Sequence, residues 1–567
     1  MSDPAGLFDA DRLRSPPFLS DSHLPSGERA RTAYERARAI ALSAELELED
    51  IALLRPKFWE LHLHPVLIHD GAATTLITIQ YNLVIGTLAR YAPRQPHLLP
   101  LLHDLLRYRK LGQFMLTELG HGLDAENLET TATLLASGEF VLSTPSPQAA
   151  KFMPPTVPVG VPTVGVVFAR LVVDGAPRGI RPFVVMLNDG SSMSKGVTCR
   201  SMPTRGGTNP VNHSLTSFRD VILPATALLG SLDQANRPGQ GFDNLIWRVA
   251  VGSLALGTVC VNTIGLAATI GLLYSRRRTV TGPKGGPISI FYFRTQQLPI
   301  LFATAQAYVY KALSRWATTY FSDFSQDSRS RQGVAAAVKA VITNDALATV
   351  LAISDRCGAQ GLFEVNQFTR VFNEVRGIAI AEGDILVVSI RLATELLLGR
   401  VQLPPPIDPD SVLAQHERGI YGELKNTLAQ VTHHRSEGVN KRILPRCLAF
   451  VEAIGHRLAY DAAVSAGVMP ELVELFVVNI MRRDSAWYAE EAGLTRKDQL
   501  AREEKALDAV LPHVDRLVDE LNLRPYVTAP IVSDDDWSAF AGSLQVSESL
   551  QNGPDIAFDA PPLSARL

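Results

Sequence analysis

The stretch Thr131-Ala-Thr-Leu-Leu-Ala-Ser-Gly-Glu-Phe-Val-Leu-Ser-Thr144 breaks the texture of the chain. Its two apolar, β-prone runs flank Ser137-Gly138, a pattern that predicts two short strands joined by a hairpin turn. Upstream, from about Glu28 to Arg109, the pattern is helical. ERARTAYERARAIALSAELELEDIALL and PHLLPLLHDLLRYRKL combine Ala, Leu and mixed charge, all compatible with helix. Downstream, PTVGVVFARLVVDGAPRGIRPFVVML holds two runs rich in Val and Phe, split by Asp174-Gly175, and HSLTSFRDVILP continues the alternation. Short strands at this spacing predict a small barrel or sandwich. After about Asn236 the helical signature returns. LPPPIDPD (403–410) reads as a linker. Leu507, Val510, Leu511, Val514, Leu517, Val518 and Leu521 recur at steps of three and four, an amphipathic helix that Pro512 kinks or starts. The first 30 residues are rich in Pro, Ser and Asp and are expected to fray, and the tail after about Asp534 is again polar and contains proline.

The expected fold is therefore α+β and mostly α. Its domains are an N-terminal helical domain (1–110), a middle β-barrel-like domain (111–235), a helical bundle (236–402) and a C-terminal helical domain (403–567). A chain of 567 residues is too long for one core, so several domains are required. With 46% hydrophobic and 20% charged residues the composition is globular. A formal net charge of −3 and the lack of a dense basic run argue against a nucleic-acid partner.

The four cysteines, Cys199, Cys260, Cys357 and Cys447, show no CxxC spacing, which argues against a zinc site or disulfide framework and for reduced intracellular thiols. No metal is expected. The N-terminal residues lack an apolar signal core, so secretion is not indicated. From Val249 to Tyr274 no residue is charged, a length that can span a bilayer. Small residues dot this run (Gly252, Ser253, Gly257, Gly265), which suits a helix buried in a bundle, and no membrane span is expected. The final Ala565-Arg566-Leu567 is a variant of the SKL peroxisomal address, so the expected location is peroxisomal, otherwise cytoplasmic.

One carboxylate is a candidate base. Glu382 lies in Arg376-Gly-Ile-Ala-Ile-Ala-Glu-Gly-Asp-Ile-Leu-Val-Val388 among many apolar residues. Burial disfavours the charged carboxylate and strengthens it as a base, the condition under which positioned proton abstractors work. The plain alternative is a helix-start Glu or a solvated strand end.

TELGHG (117–122) followed by NLETTAT (127–133) resembles the acyl-CoA oxidase branch of the acyl-CoA dehydrogenase superfamily, whose members typically carry TEMGHG and then LETTAT. Other segments match in order. KFMPP (151–155) stands where those oxidases have Lys-Trp-Trp-Pro-Gly. YSRRR (274–278) and FRTQQ (293–297) resemble YSxxR and FQTQQ. CGAQG (357–361) resembles CGGHG, and AEGD (381–384) resembles FEGE. The resemblance runs from about residue 50 to 400.

It implies bound FAD and an acyl-CoA or related acyl thioester as substrate. It makes Glu382 the catalytic base, taking the α-proton while a hydride passes from the β-carbon to the flavin, with molecular oxygen as the final acceptor. It further implies that the thioester carbonyl is held by a flavin hydroxyl and by the backbone N–H of the base. By the same resemblance Thr117 contacts the flavin, and Gly120 and Gly122 let backbone approach it. Arg278 reaches the diphosphate of a neighbouring subunit's FAD, and Gly358, Gln360 and Gly361 pack on that cofactor. A homodimer is then expected.

The chain departs from the pattern around the cofactor. Pro155 replaces a glycine whose N–H contacts the flavin, and proline has no N–H. Thr156 is the candidate to supply a hydroxyl or N–H instead. Phe152 and Met153 replace two tryptophans, Arg294 a glutamine, Leu362 an aromatic, and Ile385-Leu386 a polar pair. These changes, and a length below that of typical peroxisomal oxidases, suit a specialised substrate such as a short, branched or polyketide-like acyl chain. Three readings follow: an FAD-dependent oxidase releasing hydrogen peroxide, a dehydrogenase passing electrons to another acceptor, and a non-catalytic homologue.

Overall fold

The computed structural model describes residues 7–18, 24–232, 242–431 and 433–546. Backbone packing divides the chain into two units. The first comprises Met1–Phe8, Ser20–His62 and Asp70–Gly252, and the second Asp9–Leu19, Leu63–His69 and Ser253–Leu567. The architecture is α+β and mostly α, as the sequence texture predicts. The expected boundary at 235–236 and the Ala565-Arg566-Leu567 ending lie outside the described residues.

In the first unit, helices such as Ser26–Ser43 precede the strands. The spine of the sheet is β5 (Thr163–Val173), eleven residues long. β1 (Leu111–Met115) and β2 (Thr131–Leu134) both run parallel to it, against its first and last parts, while β6 (Ala176–Asn188) pairs antiparallel. The sheet order is β1-β5-β2-β3-β9, with β3 at Phe140–Ser143 and β9 at Val221–Leu223. A three-stranded sheet, β4-β8-β7, is formed by Lys151–Phe152, Ser214–Phe218 and Val197–Ser201.

The hairpin predicted at Ser137-Gly138 forms, and the two runs split by Asp174-Gly175 also pair as one. β2 and β3 pair antiparallel around Gly138, whose φ is +87°. β5 and β6 turn through Asp174 and Gly175, at φ +51° and +74°. Two consecutive left-handed residues match the right-handed twist of the strands, which is why Asp-Gly closes the turn. Phe140, Leu142, Val167, Phe183, Val185 and Leu187 form the core of this region. Buried Gln80 sets where β1 begins. Its amide donates to Leu105 O and Lys110 O, and its Oε1 accepts from Gly112 N at 2.6 Å.

The second unit is helical. Its long members are Trp247–Arg277 (which starts in the first unit), Arg294–Ser322 and Ser328–Arg356. Phe368–Ile380 and Ile385–Leu397 follow, and then the helices beyond the 403–410 segment, among them Cys447–Ser465 and Pro470–Met481. Trp247–Arg277 is long and apolar enough to cross a membrane, with mean hydropathy 1.8, yet 83% of its most apolar window is buried in the protein. Its glycines let neighbours close in. A Cβ on Gly257 would lie 3.0 Å from the Lys339 Cα, and one on Gly271 would lie 2.5 Å from the Ile353 Cγ2. Pro512 splits the amphipathic run into Arg496–Val510 and Val514–Asp519, because a proline cannot donate to the preceding turn.

Candidate active site

Within the first unit, three of the quoted motifs are tied together by one buried ion pair. Glu118 of TELGHG and Lys151 of KFMPP are both fully buried and 3.0 Å apart. The Glu118 carboxylate also accepts the N–H groups of Glu129 and Thr130, from NLETTAT, at 2.7 and 2.9 Å. Lys151 Nζ completes its shell with Leu116 O and Phe168 O. Burial pushes the Glu118 carboxyl up, but the Lys151 ammonium and the backbone donors outweigh it and hold it below the ordinary carboxylate range. Neither residue was singled out from the sequence, although both sit inside quoted motifs. An acidic residue just past β1 and a basic residue at the start of β4 were the available signal.

This weld places Thr117 and Thr156 differently. Thr117 follows β1, is half-buried, and accepts Phe152 N at its carbonyl. Its hydroxyl takes no partner among the described residues. Thr156 is fully buried, with its hydroxyl 2.7 Å from both Ser214 Oγ and Thr216 Oγ1 and its N–H on Ser214 Oγ. Both groups expected to serve the flavin are therefore committed to the protein interior. Pro155 beside it is buried as well. Gly120 is packed closely against Gln148, whereas a Cβ on Gly122 would meet open space.

Within the second unit, Gln296 of FRTQQ joins three more segments. Its amide donates to Ser275 Oγ of YSRRR at 2.9 Å and to Arg356 O, at the edge of CGAQG, at 3.1 Å. The arginine cluster is sorted by partners. Arg276 pairs with Asp515 and lies over the Phe291 ring, and Arg277 pairs with Asp534 and Ile531 O. Both are ion-paired, and Arg276 stays exposed at the helix end. Arg278 is exposed, and its guanidinium has no acceptor among the described residues. Arg294, which stands where a glutamine was expected, pairs with Asp508.

The 357–361 loop turns at Gly358, φ +59°, where a side chain would meet nothing. Gly361 is required sterically: a Cβ there would lie 2.3 Å from Ser354 O. Gln360 accepts Asn366 Nδ2 at its Oε1. Next to this loop Leu362 and Phe363 are 76% and 58% exposed.

Glu382 occupies the turn between Phe368–Ile380 and Ile385–Leu397. Its φ is +53° and that of Gly383 is +101°. The left-handed region is uncommon for a residue with a Cβ, and such outliers concentrate where function requires them. The side chain is half-buried rather than wholly desolvated, which corrects the burial expected of it. The reason is that its apolar neighbours divide: Ile378 and Ile385 are buried, whereas Ile380 and Leu386 face outward.

Two side chains missed in the sequence hold this turn. Lys339, from Ser328–Arg356, donates to Ala381 O and, at 2.6 Å, to Gly383 O, while Ser253, from Trp247–Arg277, donates to Glu382 O. Three successive carbonyls are thus taken. Asp384 then caps the next helix, accepting Leu386 N and Val387 N. Lys339 is fully buried, a lone charge in the apolar run GVAAAVKAVI, and that isolation was its signal in the sequence. Ser253 read only as a small packing residue.

The two ends of the Trp247–Arg277 helix serve different places. Ser253 and Arg277 are 24 residues apart, about 36 Å at the rise of an α-helix. Glu382 is held near one end, and Arg278 follows the other.

Lys339 also carries a pH signature. Burial pushes its ammonium down to about 8, against the pull of Glu382, the Cys260 thiol and Asp384. An unfolded lysine titrates near 10.4. Between those values the unfolded chain holds a proton that the folded chain has lost, so this group adds stability as pH rises through the window. The wild-type chain is expected to gain on Lys339→Met between pH 8 and 10, by up to about 1.4 kcal/mol per pH unit. Urea midpoints of the two proteins across that range check this, and parallel curves would refute it.

Residues 253–397 match the family model "Acyl-CoA oxidase, C-alpha1 domain", beginning where the second unit begins. Among characterised proteins, the chain is 26% identical over 315 residues to the peroxisomal acyl-coenzyme A oxidase 2 of Arabidopsis thaliana, covering 50% of this chain and 45% of that protein. It is 33% identical over 218 residues to acyl-coenzyme A oxidase 2 of Yarrowia lipolytica, covering 35% of this chain and 29% of that protein. The chain spans about half the length, or less, of the curated relatives it matches.

Among solved structures, the fold is similar to acyl-CoA oxidase 1 of Yarrowia lipolytica. The TM-score is 0.78 at 19% identity, covering 92% of this chain and 87% of the other. It is also similar to acyl-CoA oxidase-1 of Caenorhabditis elegans, solved with FAD and ATP, with TM-score 0.73 at 19% identity, covering 93% and 86%. Segment order, domain match and fold agree: residues 253–397 are an acyl-CoA oxidase C-alpha1 domain, in a chain with the acyl-CoA oxidase fold.

Proposed function

We propose that the chain is an FAD-dependent acyl-CoA oxidase, which introduces a trans-2 double bond into an acyl thioester. The observation that carries this reading is the clamped turn at Glu382. A glutamate is set in a left-handed conformation inside the matched C-alpha1 domain, and the carbonyls of Ala381, Glu382 and Gly383 are fixed by Lys339 and Ser253. Such a conformation costs about 1–3 kcal/mol, and persists where the surroundings over-determine it.

Glu382 takes the α-proton of the thioester. That proton becomes removable when the carbonyl oxygen is held by donors that stabilise the developing negative charge, and the Glu382 N–H is one such donor. The β-hydrogen leaves with the C–H electron pair, so the substrate loses two electrons and two hydrogens. FAD, when bound, supplies the acceptor for that pair and returns it to molecular oxygen as hydrogen peroxide. The fit of the residues supports FAD at some expected positions and not others. Within the first unit, the Thr117 hydroxyl, which has no partner among the described residues, and the open face at Gly122 suit such a group; within the second, the Arg278 guanidinium, which has no acceptor among the described residues, and the turn of Gly358, Gln360 and Gly361 do so. Thr156 does not.

Arg278 lies too far along its helix from Glu382 to act on the same small part of a ligand. With the exposed Leu362 and Phe363, this supports a homodimer in which Arg278 and the 357–361 loop serve the partner's cofactor. A guanidinium suits paired phosphate oxygens. Burial of Trp247–Arg277 supports a bundle helix rather than a membrane span. Several relatives are named peroxisomal, and the same location is proposed for this chain.

The test is anaerobic mixing of the purified protein with a panel of acyl-CoAs, then admission of air. Bleaching of flavin absorbance is expected, followed by fast recolouring with hydrogen peroxide. Slow recolouring would indicate a dehydrogenase, and a protein that binds no flavin would be a non-catalytic homologue.

A further inference from the structure

We propose that Lys339, with Ser253, is a positioning residue that aims the backbone N–H of Glu382 at the substrate carbonyl. The inference rests on the reading of Glu382 as the base, and adds what holds it. Lys339 Nζ reaches Ala381 O and Gly383 O, and Ser253 Oγ reaches Glu382 O.

The geometry follows from the peptide plane. The Ala381–Glu382 bond is trans, since the cis bonds among the described residues are Pro16-Pro17 and Asn209-Pro210. In a trans peptide the N–H points opposite to the C=O. Fixing Ala381 O on Lys339, inside the helical interior, therefore sends the Glu382 N–H the other way. The same hold sets the direction in which the Glu382 Cα–Cβ bond leaves the backbone. A neutral amide or hydroxyl at 339 would be a poor substitute. Bridging carbonyls two residues apart calls for several donors on one small head with a flexible stem, which an ammonium provides. Bonds from a charged donor are also the stronger kind.

Close packing leaves Lys339 little choice of position. A Cβ on Gly257 would press on its Cα at 3.0 Å, and one on Gly383 would lie 3.3 Å from Ser253 Oγ. The two long helices and the turn therefore approach one another around these contacts.

The test uses the FAD-loaded full chain and two readouts. One is the rate of flavin reduction by a saturating acyl-CoA. The other is the infrared carbonyl stretch of a bound 13C-labelled 2-enoyl-CoA, which reports polarisation by the Glu382 N–H independently of turnover. Lys339→Met is expected to keep FAD and thioester affinity, to slow reduction by about 100-fold, as for loss of one oxyanion donor, and to return the stretch toward its value in water. A folded, flavin-containing Lys339→Met with wild-type rate and wild-type stretch overturns the inference. Should Lys339→Met fail to fold, Ser253→Ala carries the decision. A stretch displaced from wild type supports the clamp, and an unchanged stretch and rate overturn it. A wild-type chain whose flavin no acyl-CoA of the panel reduces overturns the base assignment and this inference together, whereas an active wild type matched by an equally active Lys339→Met overturns this inference alone.

Discussion

Glu382→Gln is expected to retain FAD and to lose flavin reduction by acyl-CoA, slowing it by roughly 100- to 10,000-fold or more. Gln has the shape of Glu and can sit in the same left-handed turn, with the clamp from Lys339 and Ser253 undisturbed. What it lacks is a group that accepts the α-proton. Flavin content, read from absorbance, should therefore stay at the wild-type level, while the single-turnover rate collapses. Because the change acts on the chemical step, substrate affinity should move little. Rapid anaerobic mixing with a reactive acyl-CoA reads both quantities, and reduction at the wild-type rate would eliminate Glu382 as the base.

Lys151→Met is expected to give the largest loss of stability, about 3–5 kcal/mol, because it strands the Glu118 carboxylate in the interior without its cation. Glu118 is fully buried, and the two N–H groups it retains do not neutralise it. Protonation of Glu118 would relieve the variant, so its deficit should shrink as pH falls. The wild-type pair behaves oppositely. The Glu118 carboxyl is held below its ordinary range, so its contribution is full above the unfolded value near 4.3 and fades as pH falls through the folded one. Replacing both partners by apolar residues should cost less than the single change, since no charge is then left behind. Urea unfolding of the single and double variants at two pH values measures this. A Lys151→Met protein as stable as wild type would mean that the pair does not organise the motifs around it.

The fold was legible where local chemistry leaves one solution. Ser137-Gly138 announced a hairpin and Asp174-Gly175 a break between two runs because few residues tolerate positive φ, and the chain turns at both. Pro512 announced a helix break because it lacks an N–H. The candidate base was legible as a residue type in a motif. Its environment was not: apolar neighbours in sequence need not be neighbours in space, and Ile380 and Leu386 turn outward while Ile378 and Ile385 turn in. The same limit explains Thr156. A threonine beside a proline looks available in one dimension, but Ser214 and Thr216 arrive from a strand some 60 residues on and take its hydroxyl.

Arg276, Arg277 and Arg278 are alike as letters. Asp515 and Asp534, more than 200 residues away, distinguish the first two from the third.

By itself the sequence determined which elements form and in what order, and, through its resemblance to the oxidases, which residues are candidates for proton abstraction and phosphate binding. Those are consequences of dihedral preference, periodicity and motif order, all of them local. Only the tertiary structure decided which polar groups are already satisfied by the protein and which remain to meet a ligand, and that Lys339 and Ser253 hold the turn at Glu382. Hydrogen bonding and desolvation depend on what lies within a few ångströms, and distance along the chain does not report it.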